Sequence, residues 1–344
     1  MALKDLEALF RSMGLQRFDA EVYSALLSRG PMTITELVKE LGRHRPQVYE
    51  ALERLKARGL VEYSGGKPAL YRAVEPEVLL SLFDEEVKSL RERAEQYLKG
   101  LRREPSRVSE YGVWIFRSHK GLMKRFRDAI REARVDIVAC GGPLFLSELV
   151  PELIKAQERG IAVYVIAYEV PGESLNLKIL EPLRKIKIAI SGDLLVVKDS
   201  EQAVLAQRRR GPRVKPSYGL LIEEPALVDY LLHDFFNRWL RSKVVRDEPV
   251  ELPASFTVFR LAALEATRLL EAGVRLYAEL EGRWVDSGRE DVVRGEVADV
   301  VIDMSTGLVH FVIKMRNKMI RAGGSDAIVE EFATHKVTLK RWYG

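Results

Sequence analysis

The chain has 344 residues, a length that suggests two or three domains rather than one core. Its apolar fraction of 47% supports globular packing, but the sequence has neither the long apolar run of a membrane helix nor the apolar segment of a signal peptide. Cys140 is the single cysteine, which excludes an internal disulfide framework, so we expect a cytoplasmic protein with no membrane partner. The net charge of +5 is mild, so the position of the basic residues matters more than their number.

Four short helices are predicted before residue 60. The first carries leucines at helical spacing, and the second begins at about Asp19, which we interpret as its N-cap. The pattern Thr33-x-x-Glu36 is a capping box that opens a third helix, and Pro46 suits the first turn of a fourth helix that ends before Gly59. A short helix, a glycine-containing turn and a second helix are typical of a helix-turn-helix.

Two predicted strands follow the fourth helix. They cover residues 60–63 and 70–74, and residues 64–68 form a tight connection that is rich in glycine and proline. A β-hairpin directly behind the second helix of a helix-turn-helix is a wing. The sequence therefore predicts a winged helix-turn-helix domain over residues 1–75.

Residues 76–105 are predicted as an amphipathic helix with a heptad seam. Apolar residues recur at intervals of three and four with charges between them, a pattern that pairs two helices. We expect this helix to join two copies of the chain in a homodimer, and the alternative is a single helix that lies on its own domain. The seam consists of Phe83, Val87, Leu90, Ala94, Tyr97 and Leu101.

The remaining residues are predicted as two further domains. From 106 to 246, apolar runs alternate with amphipathic helices, which indicates an α/β domain with a largely parallel sheet. From 247 to 344, one helix precedes several short strands separated by turn residues, which indicates a small antiparallel β-rich domain. The predicted fold class is therefore multi-domain α+β. Residues 207–216 hold five basic side chains without periodicity, and we interpret them as an exposed loop.

Specific motifs lie in the first 76 residues. They are Gly30-Pro31-x-Thr33, Pro46-x-Val48-Tyr49-Glu50-Ala51-Leu52-Glu53-x-Leu55, Gly59-Leu60-Val61 and Tyr71-Arg72-Ala73-Val74-x-Pro76. With these motifs the chain resembles the TrmB-type sugar-sensing transcription regulators of archaea. The resemblance implies a phospholipase D-like fold for residues 106–246 and a sugar-binding role for residues 247–344. A low asparagine content beside 31% charged residues is also typical of thermophiles.

The predicted second helix of the helix-turn-helix carries the side chains expected to contact double-stranded DNA. Val48, Leu52 and Leu55 share one helical face and must point into the core, which leaves Arg45, Gln47 and Arg54 outside. Arginine reads guanine and glutamine reads adenine through paired hydrogen bonds, so we predict that Arg45 and Gln47 read bases. In a homodimer, two such helices would read a palindromic operator. The other predicted DNA contacts are Arg43, His44, Tyr49, Arg54, Lys56, Arg58, Lys67 and Arg72, with packing as the alternative for Tyr49 and a solvated face for Arg54.

Catalytic and metal sites are not predicted. A phospholipase D active site needs the pattern His-x-Lys-x4-Asp, and none of the five histidines has a lysine two positions on. Residues 192–199, where the family strand would carry the motif, contain no histidine. The histidines are also scattered without the spacing of metal ligands. We therefore expect no enzyme activity, no cofactor and no metal.

The resemblance implies a sugar-binding segment near the C-terminus, so we expect a mono- or oligosaccharide effector. Family members also bind the sugar through an asparagine in the preceding strands, and the best match to it in this sequence is Asn317. Trp284 is a candidate for stacking on the sugar ring. In the family, a glycine-rich turn followed by two aliphatic residues and a glutamate contacts the sugar, and the matching residues here are Gly324, Ile328, Val329 and Glu330. The alternative for this segment is an ordinary β-turn. The alternative for the whole protein is that it coats DNA without any ligand.

Overall fold

A computed structural model describes residues 2–101, 111–169, 177–191, 193–207, 216, 218–303, 305–316 and 318–343. The chain divides into two compact units, Met1–Ser106 and Arg107–Gly344, and each is described by itself. The predicted ligand contact Asn317 lies outside the described residues, as does most of the predicted basic loop at residues 207–216.

The first unit begins with four helices and a two-stranded wing. They are α1 (Ala2–Ser12), α2 (Arg17–Arg29), α3 (Ile34–Leu41), α4 (Arg45–Ala57), β1 (Val61–Tyr63) and β2 (Tyr71–Ala73), and the two strands pair antiparallel. The predicted capping box is present: Thr33 N donates to Glu36 Oε2 over 2.7 Å, and Glu36 N donates to Thr33 Oγ1 over 3.3 Å. Gly42 ends α3 with φ of 60°, a left-handed conformation that favours glycine. The predicted winged helix-turn-helix is confirmed.

Helix α5 (Pro76–Leu101) is the longest helix of the described residues, with 26 residues. Only its first part packs on the domain, where Leu79 is buried and Phe83 lies against the core. The first part of α5 therefore lies on its own domain, and pairing with a second copy through the rest of the helix stays a prediction. Beyond the first turns, the large apolar side chains are exposed: Val87, Leu90, Tyr97, Leu98 and Leu101.

The second unit begins with an eight-stranded sheet. Its strand order is β10-β6-β5-β4-β7-β8-β9-β3, and α6, α7 and α8 accompany it. The elements are β3 (Val113–Phe116), α6 (His119–Glu132), β4 (Asp136–Gly141), α7 (Pro143–Glu158), β5 (Ala162–Tyr168), β6 (Lys185–Ala189), β7 (Asp193–Lys198), β8 (Gln202–Gln207), β9 (Gly219–Ile222), α8 (Pro225–Arg241) and β10 (Lys243–Asp247). A short 3-10 helix, Leu177–Leu180, precedes β6.

The expectation of a largely parallel sheet is wrong. Only β4–β5 and β5–β6 pair parallel, whereas the other five pairings are antiparallel. The reason is the connection between β7 and β8, in which Lys198 pairs with Gln202 across a tight turn. A turn of this length reverses the chain, while a parallel connection needs a crossover of a dozen or more residues.

The last part of the chain forms a closed five-stranded barrel. After β11 (Ala254–Phe256) and α9 (Phe259–Glu271), the barrel strands are β12 (Leu276–Trp284), β13 (Glu290–Asp303), β14 (Leu308–Lys314), β15 (Met319–Gly323) and β16 (Phe332–Arg341). Neighbouring strands pair antiparallel, and a short parallel pairing of β15 with β16 closes the ring. Strand β11 adds to the free part of β16. The predicted β-rich character is confirmed.

The sheet and the barrel share one hydrophobic core. A single buried cluster contains Val138 of β4, Phe236 of α8, Ala262 of α9 and Leu339 of β16. Because these side chains leave no solvent layer between the two parts, they pack as one body. The predicted division at residues 246 and 247 falls between β10 and β11 and stays a prediction.

Candidate DNA-contacting surface and effector cavity

The N-terminal end of α4 presents an exposed polar surface. Val48, Leu52 and Leu55 are fully buried, as their spacing predicts, while residues 43–47 are exposed. Among the described residues, no hydrogen bond or ion pair engages the Arg45 side chain. Its guanidinium is therefore available to a ligand outside the protein. The exposed end of a second helix in a helix-turn-helix is the part that enters the major groove.

Gln47 is part of the helix cap. Its Oε1 accepts a hydrogen bond of 3.3 Å from the backbone N of His44, the N-cap residue that precedes α4. Reading adenine through two hydrogen bonds uses both the carbonyl and the amide of glutamine. The predicted adenine contact would therefore compete with the cap, whereas the guanidinium of Arg45 has no such competitor among the described residues.

Arg54 has a structural partner that competes with its predicted contact to DNA. Its Nη2 and Nε lie 2.8 and 3.0 Å from the two carboxylate oxygens of Asp19, which is fully buried. The hydrogen bond to Asp19 raises the pKa of Arg54. The interpretation of Asp19 as the N-cap of α2 is also wrong. Gln16 is the N-cap, and its backbone N–H donates a hydrogen bond to the Asp19 carboxylate. Releasing Arg54 to DNA would leave a buried carboxylate unpaired.

The other predicted DNA contacts fall into two groups. The first group is paired: Lys56 with Glu53 at 2.9 Å, Arg58 with Glu86 at 2.8 Å and Arg72 with Glu62 at 2.5 Å, although all three remain at the surface. Lys56 also lies 4.4 Å from the ring centre of Tyr63 on the wing. The second group is exposed without an ion pair among the described residues, and it consists of Arg43, His44, Tyr49 and Lys67.

The predicted sugar-binding segment is split by the structure. Gly324 lines a cavity, whereas Ile328 and Val329 are 83% and 58% exposed and do not line it. Glu330 is buried, and its carboxylate accepts only a long hydrogen bond, 3.3 Å, from Val329 N within the described residues. Trp284 also lies outside the cavity lining. Its Nε1 donates to Asp291, and the Lys318 ammonium lies 4.6 Å from the centre of its ring.

The cavity that contains Gly324 lies between α8, α9, the β7–β8 turn and the loop after β15. Its volume is about 730 Å³, within the range of roughly 300 to 1,000 Å³ that small-molecule sites occupy. Apolar side chains form part of the wall: Leu232, Val258, Phe259 and Val309. Polar side chains also line it, including Asp229, His233, Arg260 and Asp326. An apolar wall with a few polar groups is the usual composition of a small-molecule site.

The electrostatics of the cavity centre on Asp229. Burial and repulsion from the Asp326 carboxylate raise its pKa, while the charges of His233 and Arg260 oppose this shift. Arg260 is oriented by a hydrogen bond of 2.9 Å from its Nη1 to the Gly307 carbonyl oxygen. Sequence reasoning missed these four residues because they come from α8, α9 and the 324–326 loop, with no common motif.

Two carboxylates form hydrogen bonds at the floor of the cavity, which consists of Thr257, Val258 and Asp199. Asp136 accepts hydrogen bonds from Thr257 N, Val258 N and Thr257 Oγ1 over 2.7, 2.9 and 2.6 Å. Asp199 accepts from three consecutive backbone N–H groups, those of residues 134–136, and it holds φ of 50° in the β7–β8 turn. Asp136 is the first residue of β4, so these hydrogen bonds connect the floor of the cavity directly to that strand.

We predict a pH signature from Asp136. Burial raises the pKa of Asp136 to about 6, although the hydrogen bonds from Thr257 and Val258 oppose the shift. The folded protein therefore binds a proton that the unfolded chain, with a carboxyl pKa of about 3.9, does not bind between these values. Stability from this group increases as the pH falls from 7 to 4, by about 2 kcal/mol, and is lost as the pH rises through 6.

The measurement is urea unfolding of the wild-type chain and of Asp136→Asn at pH 7, 6, 5 and 4. The asparagine variant does not titrate at this position, so the stability of the wild type relative to the variant should rise by that amount as the pH falls from 7 to 4. A difference that stays constant with pH would contradict the assignment.

Other chemistry receives no support from the described residues. The strand expected to hold a phospholipase D motif begins at Asp193, whose carboxylate pairs with Arg238 at 2.8 Å. No group of three or more His, Cys, Asp or Glu side chains suited to a metal ion occurs in the described part. In the part of the chain that the structure describes, we find no helix whose length and apolarity would suffice for a membrane crossing. The absence of enzyme activity stays a prediction.

Three family models match the chain in succession. Residues 10–77 match "Sugar-specific transcriptional regulator TrmB", residues 112–246 match the N-terminal subdomain of the TrmB EBD, and residues 251–342 match the C-terminal subdomain of the TrmB/TrmBL1 EBD. Among curated proteins, the chain is 26% identical over 326 residues to the "HTH-type sugar sensing transcriptional regulator TrmBL1" of Pyrococcus furiosus. That match covers 93% of this chain and 94% of the relative.

Solved structures give weaker similarities. TrmBL2, described as an archaeal chromatin protein, is 20% identical with a TM-score of 0.42, over 71% of this chain and all of that one. Nuc, a phospholipase D family member from Salmonella typhimurium, is 15% identical with a TM-score of 0.33, over 40% of this chain and all of that one. Both scores are too low to support an inference about activity.

Proposed function

Because the chain belongs to the TrmB family of transcriptional regulators, we propose that it binds a specific operator and that a sugar in the cavity of the second unit sets its operator affinity. The observation that carries the DNA-binding part is the exposed N-terminal end of α4, opposite a fully buried face. The cavity of about 730 Å³ supports the effector part.

The operator contact begins at Arg45. A guanidinium at the start of the second helix of a helix-turn-helix is placed to donate two hydrogen bonds to guanine in the major groove. The exposed cations Arg43 and Lys67 are suited to phosphate contacts on either side, which position the helix without reading sequence. Arg54 is not part of this proposal, because it holds Asp19.

The second copy of the chain is expected to meet α5. Val87, Leu90, Tyr97 and Leu101 remain exposed at coiled-coil spacing, and exposed apolar side chains in such a row are usually covered by a partner. A two-fold pair of winged domains would read a palindromic operator. Sedimentation of the full chain at micromolar concentration should therefore give a dimer.

The chemistry of the cavity favours a sugar. Apolar side chains such as Phe259 suit the C–H face of a pyranose ring, and the polar groups at Asp229, His233 and Arg260 suit its hydroxyls. A regulatory effect requires that the sugar bind one arrangement of the dimer more tightly than another, since equal affinity shifts no equilibrium.

The test of the DNA-binding part is a specificity ratio at fixed salt. An operator duplex is selected by the full-length protein from a random library, and its affinity is compared with that of random duplex. We expect a ratio of about a thousandfold or more. A ratio close to one would favour the rival function, a protein that coats DNA without sequence preference or ligand.

A further inference from the structure

We propose that Tyr63 of the wing holds the Lys56 ammonium in a groove that binds one phosphodiester group of the DNA backbone. This inference rests on the proposed DNA-binding function and adds to it a backbone contact and the residue that positions that contact. The wing groove lies between the last turn of α4, which carries Lys56, and the wing, which contributes Tyr63 and Ser64. Its volume is about 680 Å³.

Tyr63 keeps an aromatic ring at the surface in a fixed orientation. It is 58% exposed, whereas Tyr71, its partner on β2, is buried. The two rings stack with their centres 6.3 Å apart, so the buried ring supports the exposed one. Tyr71 is itself held by two backbone hydrogen bonds with Met32, of 2.8 and 2.9 Å. The ring of Tyr63 is therefore a rigid part of the wall of the wing groove.

The Tyr63 ring attracts the side chain of Lys56. The Lys56 ammonium lies 4.4 Å from the ring centre, within the range of a cation–π interaction. The ring attracts the cation without an acceptor atom, so the three N–H donors of the ammonium stay available. Glu53 Oε1 accepts one of them over 2.9 Å, and no acceptor for the other two is present among the described residues. Tyr63 therefore positions a cation that can still donate to a phosphate.

Ser64 adds a neutral donor to the wing groove. Its Oγ accepts a hydrogen bond of 3.0 Å from Leu70 N across the wing turn, which leaves the hydroxyl proton free to donate. In the part of the chain that the structure describes, no acceptor for this proton is present. Lysine and serine side chains are among the groups that contact DNA phosphates, and the phosphate oxygens only accept hydrogen bonds. The donors of the wing groove therefore fit a phosphodiester.

Two carboxylates near the wing groove are already paired. Glu62 pairs with Arg72 over 2.5 Å at the surface. The pair of Glu53 with Lys56 is also partly exposed, at 42% and 25%. Exposed ion pairs contribute little free energy, because water solvates the separated charges well. A phosphate that the rest of the interface brings to the wing groove can therefore take the place of Glu53 on Lys56.

The wing groove is placed to meet the DNA backbone and not the base edges. The start of α4 is the end of the helix that enters the major groove, whereas Lys56 stands in the last turn of α4, beside the wing. Phosphate contacts fix the register and orientation of a protein on the duplex and carry no sequence information directly. The wing groove should therefore contribute equally to the binding of operator and of random DNA.

The test is fluorescence anisotropy of the full-length protein with the selected operator and with random duplex, over a series of salt concentrations. Lys56→Met should weaken both complexes by the same factor, about 3- to 10-fold, and lower the slope of log affinity against log salt by about 0.9 per chain. Tyr63→Leu should give at least half of both losses, because the released lysine no longer stays in the wing groove. Tyr63→Phe keeps the ring and should keep the wild-type slope. The double variant Lys56→Met with Tyr63→Leu should lose no more than Lys56→Met alone, because Tyr63 acts through Lys56.

Tyr343→Leu is the matched control, because this tyrosine is 88% exposed but belongs to the second unit, outside the wing groove. It should leave both affinities and both slopes unchanged. Tyr63→Thr is a second replacement that suits a strand, so the test does not depend on how one variant folds. Thermal unfolding of each variant confirms that the first unit is folded.

The outcomes separate this inference from the proposed DNA-binding function. A wild-type slope in Lys56→Met would overturn the phosphate site, while DNA binding itself survives. Losses that add in the double variant would overturn the positioning role of Tyr63. A loss confined to the operator would show that the wing groove reads bases, which also contradicts the proposal. If the wild type binds neither duplex, the proposed DNA-binding function fails and this inference fails with it.

Discussion

Replacing Arg45 by alanine should weaken binding of the selected operator about 10- to 100-fold, while binding to random duplex changes little. The guanidinium is exposed at the first residue of α4 and has no partner among the described residues, so its full hydrogen-bonding capacity is available to a guanine. A good bidentate contact contributes about 1 to 3 kcal/mol of discrimination against the wrong base. The loss should therefore be concentrated at one or two base pairs of each half-site.

Two controls separate base reading from general charge. Arg11→Ala removes an exposed arginine of α1, outside the helix-turn-helix formed by α3 and α4, and should leave both affinities unchanged. Lys67→Ala on the wing should weaken operator and random duplex by similar factors and reduce the salt dependence of binding. Fluorescence anisotropy at two salt concentrations measures all three variants. If Arg45→Ala weakens operator and random duplex equally, Arg45 contacts phosphate and does not read a base.

Replacing Lys185 by methionine should destabilise the second unit by about 3 to 5 kcal/mol. The Lys185 ammonium lies 2.5 Å from Glu265 Oε1 and 3.1 Å from Asp247 Oδ1. Lys185 and Glu265 are only 3% and 4% exposed, and Tyr164 donates a further hydrogen bond of 3.1 Å to the same carboxylate. Removing one member of a buried pair leaves the other charge without compensation, and that cost dominates.

The neighbouring ion pair provides the control. Arg184 pairs with Glu251 at 2.6 Å, but their side chains are 38% and 79% exposed, so Arg184→Ala should cost less than about 1 kcal/mol. Urea unfolding at neutral pH compares the two variants. The double variant Lys185→Met with Glu265→Gln should recover part of the loss, because no unpaired charge remains. Equal costs for Lys185→Met and Arg184→Ala would show that burial of the network contributes nothing.

Local signals made the first unit predictable. The capping box at Thr33 and Glu36, the proline in the first turn of α4 and the glycine after α3 each act within one helical turn. Such short-range interactions are visible in the chain order, and the wing follows from its turn residues. The buried partnership of Asp19 and Arg54 was not predictable, because it joins residues 35 positions apart through packing of α2 against α4.

The second unit was predicted less accurately for the same reason. The alternation of apolar runs indicates strands and helices, but it determines neither the direction of the strands nor the bounds of short ones such as β9 and β11. The barrel closes through two residue pairs, Ala322 with Phe332 and Gly323 with Ala333, which are too few to leave a pattern in the sequence.

The candidate effector site shows what a motif can and cannot supply. The family pattern pointed to Gly324, which lines the cavity. The rest of the cavity lining is drawn from α8, α9 and the β7–β8 turn, and only the folded chain brings these together. The aliphatic residues of the pattern, Ile328 and Val329, are exposed and lie outside that lining. The residues that line the cavity therefore cannot be identified from the sequence pattern alone.

The central claim is that a sugar in the cavity changes operator affinity, and one titration tests it directly. Operator affinity of the full-length protein is measured at fixed salt, with and without a saturating concentration of the sugar that binds most tightly in calorimetry. The account predicts a change of at least tenfold, together with loss of that change in Asp229→Asn. A sugar that binds the protein and leaves operator affinity the same would contradict it.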